Sequence, residues 1–220
     1  MNSSLLRFKL PWLCSGIALL ALVITAHPAL AHHASGGKLP VNAFEGFMSG
    51  LAHPVIGVDH FAFVVSVSLL AAIKRQGILI PVAFILAAMV GTGIHLLQLS
   101  LPVAEFFIAG SVLLFGILLA MKQEINGWIV LGLAAIAGLF HGYAYGESIF
   151  GAEMSPLISY LAGFTAIQLA VATVTFLIGK AVLKKKIEQP AIILRFAGFV
   201  ICGIGFTVLS TLVLETVLPG

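Results

Sequence analysis

The sequence predicts an all-α integral membrane protein, with six transmembrane helices in the mature chain after an N-terminal signal peptide. Three observations lead there. The 220-residue chain is 60% hydrophobic and only 9% charged, where soluble domains carry about a quarter charged residues. Apolar stretches close to the roughly 20 residues that a bilayer core demands recur along the chain. Short polar or basic connections separate them, which leaves no room for a soluble enzyme domain beside the membrane domain. The formal charge of +3 is small and sits in particular loops, so it does not point to nucleic acid.

Residues 1–31 read as a cleaved secretory signal peptide. Arg7 and Lys9 make a basic start, Leu13 to Thr25 an apolar stretch too short to span comfortably, and Ala29-Leu30-Ala31 the A-x-A cleavage pattern. An uncleaved anchor is the alternative. Residues 32–54 then form an extracytoplasmic N-terminal segment, and residues 55–220 a six-span membrane domain. The spans cover 55–73, 77–99, 104–121, 127–145, 157–182 and 191–217. Lys74-Arg75-Gln76 closes the first, and Ser100 to Val103, with Pro102, separates the second from the third. Lys122 to Asn126, Gly146 to Pro156 and Leu183 to Pro190 divide the rest. Cys14 leaves with the signal peptide and Cys202 stands alone, so no disulfide framework exists.

Orientation follows from two arguments that agree. A cleaved signal peptide puts the mature N-terminus outside. Cytoplasmic loops hold the excess of Lys and Arg, and with that start Lys74, Arg75, Lys122, Lys184, Lys185 and Lys186 all fall inside. Six spans return the C-terminus to the outside, so the chain reads as a multi-pass protein of the bacterial plasma (inner) membrane with both mature termini extracytoplasmic.

With this topology the polar groups collect at one depth. The stretch "GLAHPVIGVDHF", residues 50 to 61, puts His53, Asp59 and His60 at the outer start of the first span, and Asp59 is the only aspartate in the chain. His95 falls in the last outer turns of the second span, His141 near the outer end of the fourth, with Glu147 and Glu153 just beyond. Ionisable groups in a span are costly and face a cavity or a partner, and imidazole with carboxylate suits divalent first-row metals such as nickel, cobalt, zinc or iron. Pro54 and Gly57 argue against a continuous helix through the stretch, and freed carbonyls at membrane depth need a cavity or protein cover. Asp59 either ligates directly or orients the His60 ring from behind. His141 with Glu147 is a second ligand pair or an interfacial helix end; His95 is a ligand or a packing residue. Gln168, in the middle of the fifth span, lines a path or bonds a neighbouring helix. The stretch "GLFHGYAYGE", residues 138 to 147, echoes the first: Gly-Leu-x-His, then an acidic residue six after the histidine. That is similar ligand chemistry or chance.

The segment "HPVIGVDH", residues 53 to 60, resembles the HPxxGxDH signature of the HupE/UreJ family, hydrogenase and urease accessory membrane proteins regarded as nickel or cobalt permeases. The resemblance covers essentially the mature chain, including the six-span plan and the glycine-rich element around His141. It implies that His53, Asp59 and His60 handle metal. Relatives often carry a further histidine in the second element, where this chain has Tyr145, which implies an altered metal preference.

The expected function is therefore a nickel or cobalt uptake permease and not an enzyme. A divalent cation is captured at an outer cluster of His53, Asp59, His60, His141, Glu147 and His95. Ni2+ or Co2+ is cargo, with no permanently bound cofactor. The partners are the metal ion and the lipid bilayer, with no nucleic acid; a homo-oligomer and a metallocentre maturation pathway complete the expectation. The alternatives are an intramembrane metal-dependent hydrolase and a non-transporting metallocentre accessory protein.

Overall fold

A computed structural model describes residues 38–122, 125–185, 189 and 191–218. The expected signal peptide, His32, His33 and Lys186 lie outside the described residues. The described chain is all-helical: α1 Ala43–Ile56, α2 Val58–Ile73, α3 Leu79–Leu96, α4 Ala104–Ala120, α5 Gly127–Glu147, α6 Met154–Leu183 and α7 Ala191–Val217. Five of these, α3 to α7, sit on the second to sixth apolar stretches within a few residues. Two departures bear on the site.

The first concerns the segment ahead of residue 55. Residues 43–56 form a helix, where the sequence suggested only an N-terminal segment. Asn42 starts it: its side chain accepts from the Glu45 amide at 2.9 Å and donates to Glu45 Oε1 at 2.8 Å, while Glu45 Oε2 accepts from the Val41 amide at 3.0 Å. This reciprocal capping satisfies amides that a helix start leaves orphaned. Pro54 lies inside α1 and removes one amide donor from its last turn. At Gly57 the chain bends by 75° into α2.

The second concerns the count of crossings. Among the described residues four helices are long and apolar enough to cross a bilayer: α3, α5, α6 and α7. The bent pair α1–α2 makes a fifth if it is one broken span. Helix α4 is apolar but has 17 residues, which at 1.5 Å per residue reaches about 26 Å. Where six spans are expected, the described residues hold four long apolar helices, one bent pair and one short apolar helix.

Glycines set the packing, because lipid tails are as apolar as leucine and close backbone approach replaces hydrophobic drive. On α5, Gly138, Gly142 and Gly146 recur every fourth residue. A side chain on them would run into the Phe84 carbonyl, the Ala88 backbone and the His95 side chain of α3, in that order. Helices α3 and α5 therefore run parallel, and the Thr92 hydroxyl reinforces the pair by bonding the Gly142 carbonyl at 2.8 Å. Gly46 and Gly50 of α1 press in the same way on the backbone of Pro156 and Tyr160 of α6, again parallel. Helices α4 and α7 are antiparallel: Gly198 meets Ala120 and Gly205 meets Leu113.

Helix α2 is the hub. Ala62 to Val64 and Ser66 to Ala72 are buried along it, with α6, α4 and α7 as its main neighbours. Its serines do not break the apolar environment, since Ser66 Oγ donates to Phe63 O at 2.8 Å and Ser68 Oγ to Val64 O at 2.7 Å. At its far end, Lys74 Nζ donates to Ile125 O at 2.7 Å, and Arg195 Nε to Ala120 O at 2.8 Å. Arg195 thus meets the carbonyl end of α4, and Lys74 the loop carbonyl just ahead of α5. His60 and Lys74 stand about 21 Å apart along this axis.

The glycine contacts predict opposite outcomes at two positions of α5. Gly142→Ala is expected to lower the thermal unfolding midpoint, with an overpacking cost of about 1–3 kcal/mol. At Gly132 nothing lies within 4 Å of an added Cβ, so Gly132→Ala is neutral or stabilising by up to about 1 kcal/mol. Thermal melts of the purified variants check this, and equal shifts would refute it.

Candidate metal centre

Three helices carry one histidine each into a common buried place. His53 rides on the last turn of α1, His60 on the first turn of α2, and His141 on α5 one turn past Gly138; all three are buried. The ring centroids of His53 and His60 are 5.6 Å apart, and those of His60 and His141 4.9 Å. Tyr145, one turn after His141, closes the group, with its ring 5.1 Å from His53 and 4.6 Å from His60. Phe63 lies 4.5 Å from His141 and seals the floor.

Gly57 makes the close approach feasible. Its φ of −69° is ordinary, so the residue is there for space: a Cβ would stand 2.7 Å from Cδ2 of His60 and 3.3 Å from Oδ1 of Asp59. The echo between "GLAH" and "GLFH" has the same physical meaning at both ends. In each, the glycine docks the helix on a parallel neighbour's backbone, and the histidine three residues later enters the cluster.

Hydrogen bonds fix the rings. His60 Nδ1 and His141 Nδ1 are 2.7 Å apart. His141 Nε2 is 3.0 Å from Ser111 Oγ, and that hydroxyl donates to Ile108 O at 2.7 Å. With the single Ser111 hydrogen committed to a carbonyl, the network assigns the rest. His141 donates from Nε2 and accepts at Nδ1, and His60 donates from Nδ1, which leaves its lone pair on Nε2. His53 Nδ1 lies 2.8 Å from Ser148 Oγ. Tyr160, on α6, donates to Tyr145 O at 3.0 Å. Interhelical bonds of this kind average about 0.6 kcal/mol in membranes, so together they orient the rings more than they hold the fold.

Of the other expected site residues, only Asp59 stands beside the histidines. Asp59 is half-buried, and its Oδ1 accepts from the His60 amide at 2.8 Å. It stands in the first turn of α2, takes up the His60 amide there, and so steers the ring that follows it. Glu147 is exposed at the end of α5. His95 packs its ring against Tyr143 at 4.5 Å and Phe150 at 5.8 Å, and its buried Nδ1 has no hydrogen-bond partner among the described residues. The structure brings together His53, His60 and His141, with Asp59 beside them, and keeps His95 on other rings. Ser111, Ser148 and Tyr160 complete the surroundings unannounced by any motif. Ser111 had one signal, as a lone hydroxyl in the apolar run of α4.

Imidazole nitrogens suit a divalent first-row cation, and the buried Tyr145 hydroxyl, without a hydrogen-bond partner among the described residues, adds a nearby oxygen. Among the described residues, however, no three His, Cys, Asp or Glu side chains already surround one point. The Nδ1 atoms of His60 and His141 face each other, so an ion can take both only after the rings part.

A helical membrane protein with a histidine cluster buried at a helix break defines the class. Comparison with known proteins is specific about the family. The HupE / UreJ protein model matches residues 20–208, and the chain belongs to that family. Protein HupE of Rhizobium leguminosarum bv. viciae is 30% identical over 152 residues, covering 68% of this chain and 73% of the relative. No solved structure matches. Membership points to a nickel or cobalt accessory or permease role and away from an enzyme.

The tautomer assignment predicts the ring nitrogens directly. In 15N spectra of imidazole-labelled protein without metal, His141 is expected in the Nε2–H form and His60 in the Nδ1–H form. Ser111→Ala is expected to release the His141 preference. The reverse tautomers in the unaltered chain would contradict the assigned network.

Proposed function

We propose that this chain is a nickel or cobalt uptake permease of the bacterial plasma membrane, and that His53, His60 and His141 receive the ion. The observation that carries the reading is the convergence of one buried imidazole from each of three helices at the α1–α2 break. Family membership supports it, and so does the placement of Lys74 and Arg195 at the end of the bundle away from the histidines. Basic residues mark the cytoplasmic side, so the cluster faces outward and six crossings return the C-terminus outside.

The hydrated cation arrives at the outer end and exchanges water for imidazole. His60 and His141 separate as their shared hydrogen bond is replaced by metal. Asp59 holds the start of α2 and thereby the His60 ring. Its Oδ1 can ligate only after it leaves the His60 amide. Binding strong enough to strip water and weak enough to release the ion is what conduction requires. The broken α1–α2 helix is the kind of element transporters use for such sites. The driving force is the ion gradient, the membrane potential or trapping in the cytosol.

Uptake of radiolabelled nickel and cobalt by cells lacking their own high-affinity importers tests the proposal. Cells expressing the chain are expected to accumulate one or both ions. His53→Ala, His60→Ala and His141→Ala, at matched membrane abundance, are expected to lower the initial rate by about tenfold or more, because each removes a ligand. Uptake should also fall as the medium is acidified, since an imidazole must be neutral to bind metal. Variants that transport at the unaltered rate would refute the assignment.

A further inference from the structure

The hydrogen bonds that assign His60 and His141 leave the third ring, His53, undetermined. Its Nδ1 lies 2.8 Å from Ser148 Oγ. Ser148 follows α5 directly, in the turn over 148–150, and is half-buried. The same side chain also bonds the Tyr160 hydroxyl, and that hydroxyl bonds Tyr145 O at 3.0 Å. Three bonds thus run in sequence from α1, through the turn after α5, to α6 and back to the α5 backbone.

Counting hydrogens along this chain gives each bond a direction. A carbonyl only accepts, so the single Tyr160 hydrogen goes to Tyr145 O. The Tyr160 oxygen can then only accept from Ser148, which places the one Ser148 hydrogen on that bond. Ser148 Oγ is left to accept from His53, so His53 carries its hydrogen on Nδ1 and its lone pair on Nε2. His60 has the same tautomer. Packing does not call for these hydroxyls. The Tyr160 ring stands 6.0 Å from Phe164 and 6.5 Å from His53, contacts that a phenylalanine would keep.

We infer that Ser148 and Tyr160 are positioning residues for capture of the divalent cation: their relay, anchored on Tyr145 O, holds His53 in the Nδ1–H form so that Nε2 meets the ion. The cargo rests on the uptake reading above; the tautomer rests on the hydrogen bonds alone. A ligating imidazole usually donates its other N–H to a carboxylate, a carbonyl or water, which fixes ring and tautomer. A carboxylate among membrane helices is costly, and two hydroxyls ending on a backbone carbonyl do the same work without charge. A neutral partner also strengthens the imidazole less than a carboxylate would, which suits an ion that must be released.

Two measurements on the full-length chain test this: 15N spectra of imidazole-labelled, metal-free protein, and equilibrium binding of Ni2+ to purified protein. His53 is expected in the Nδ1–H form. Ser148→Ala is expected to mix the two His53 tautomers and to weaken the nickel Kd by about tenfold or more, the usual effect of losing such a partner. Ser148→Thr keeps the hydroxyl and is expected to restore both readouts. Tyr160→Phe gives the sharper outcome, because it removes the acceptor of the Ser148 hydrogen. That hydrogen then turns to His53 Nδ1 and drives the ring to the Nε2–H form, with a Kd again weaker by about tenfold. A merely structural role would shift the thermal midpoint without reversing the tautomer. His53 in the Nε2–H form in the unaltered chain overturns the relay. A Ser148→Ala Kd within about twofold of the unaltered value, well short of the usual loss, overturns the positioning role. An unaltered chain that binds no Ni2+ removes the uptake reading and the capture role with it, whereas the His53 spectra still decide the relay.

Discussion

Backbone-to-backbone contact through glycine is the constraint on which the remaining structure depends. In lipid, apolar side chains gain little by touching one another instead of acyl chains. Helices that must stay in register therefore need surfaces where carbonyls and Cα atoms approach directly. Gly46 and Gly50 supply that surface between α1 and α6, and Gly138, Gly142 and Gly146 supply it between α5 and α3. Each contact fixes the rotation of a helix about its own axis. His53 and His141 come three residues after Gly50 and Gly138, so fixing that rotation also aims the imidazoles.

The break at Gly57 does the remaining work. A continuous helix would place His53 and His60 seven residues apart along one line, about 10 Å in rise. The 75° bend shortens that separation and leaves the two rings 5.6 Å apart. Pro54 lowers the cost of ending α1, and Asp59 starts α2 by accepting the His60 amide. The one aspartate of the chain thus stands where a helix begins inside the bundle, and its carboxylate takes up an amide that lipid would leave unsatisfied.

Much of this was legible in the residues, and the rest was not for identifiable reasons. Hydropathy and the basic loops located α3 to α7 within a few residues, because length and polarity are local properties. The helix break between His53 and His60 was legible from Pro54 and Gly57. The direction in which a side chain leaves its helix is not local: His95 lies in the last turn of α3 yet turns onto Tyr143, because Gly146 of a neighbouring helix receives its Cβ. Helix α1 was missed although Asn42 and Glu45 spell a capping pair. Its stability comes from α6, about a hundred residues away, and its glycines disfavour a helix by propensity. Glu147 matched Asp59 in spacing from a histidine, but α5 ends there and leaves the carboxylate exposed.

Ni2+ has to part His60 from His141 and take up imidazole nitrogen if the cluster is the seat of capture. Nickel K-edge X-ray absorption on purified, nickel-loaded protein reads that first shell directly. The account predicts multiple-scattering features of about three imidazoles per ion, with one imidazole lost in each of His53→Ala, His60→Ala and His141→Ala. An oxygen-only shell, unchanged in all three variants, would contradict it.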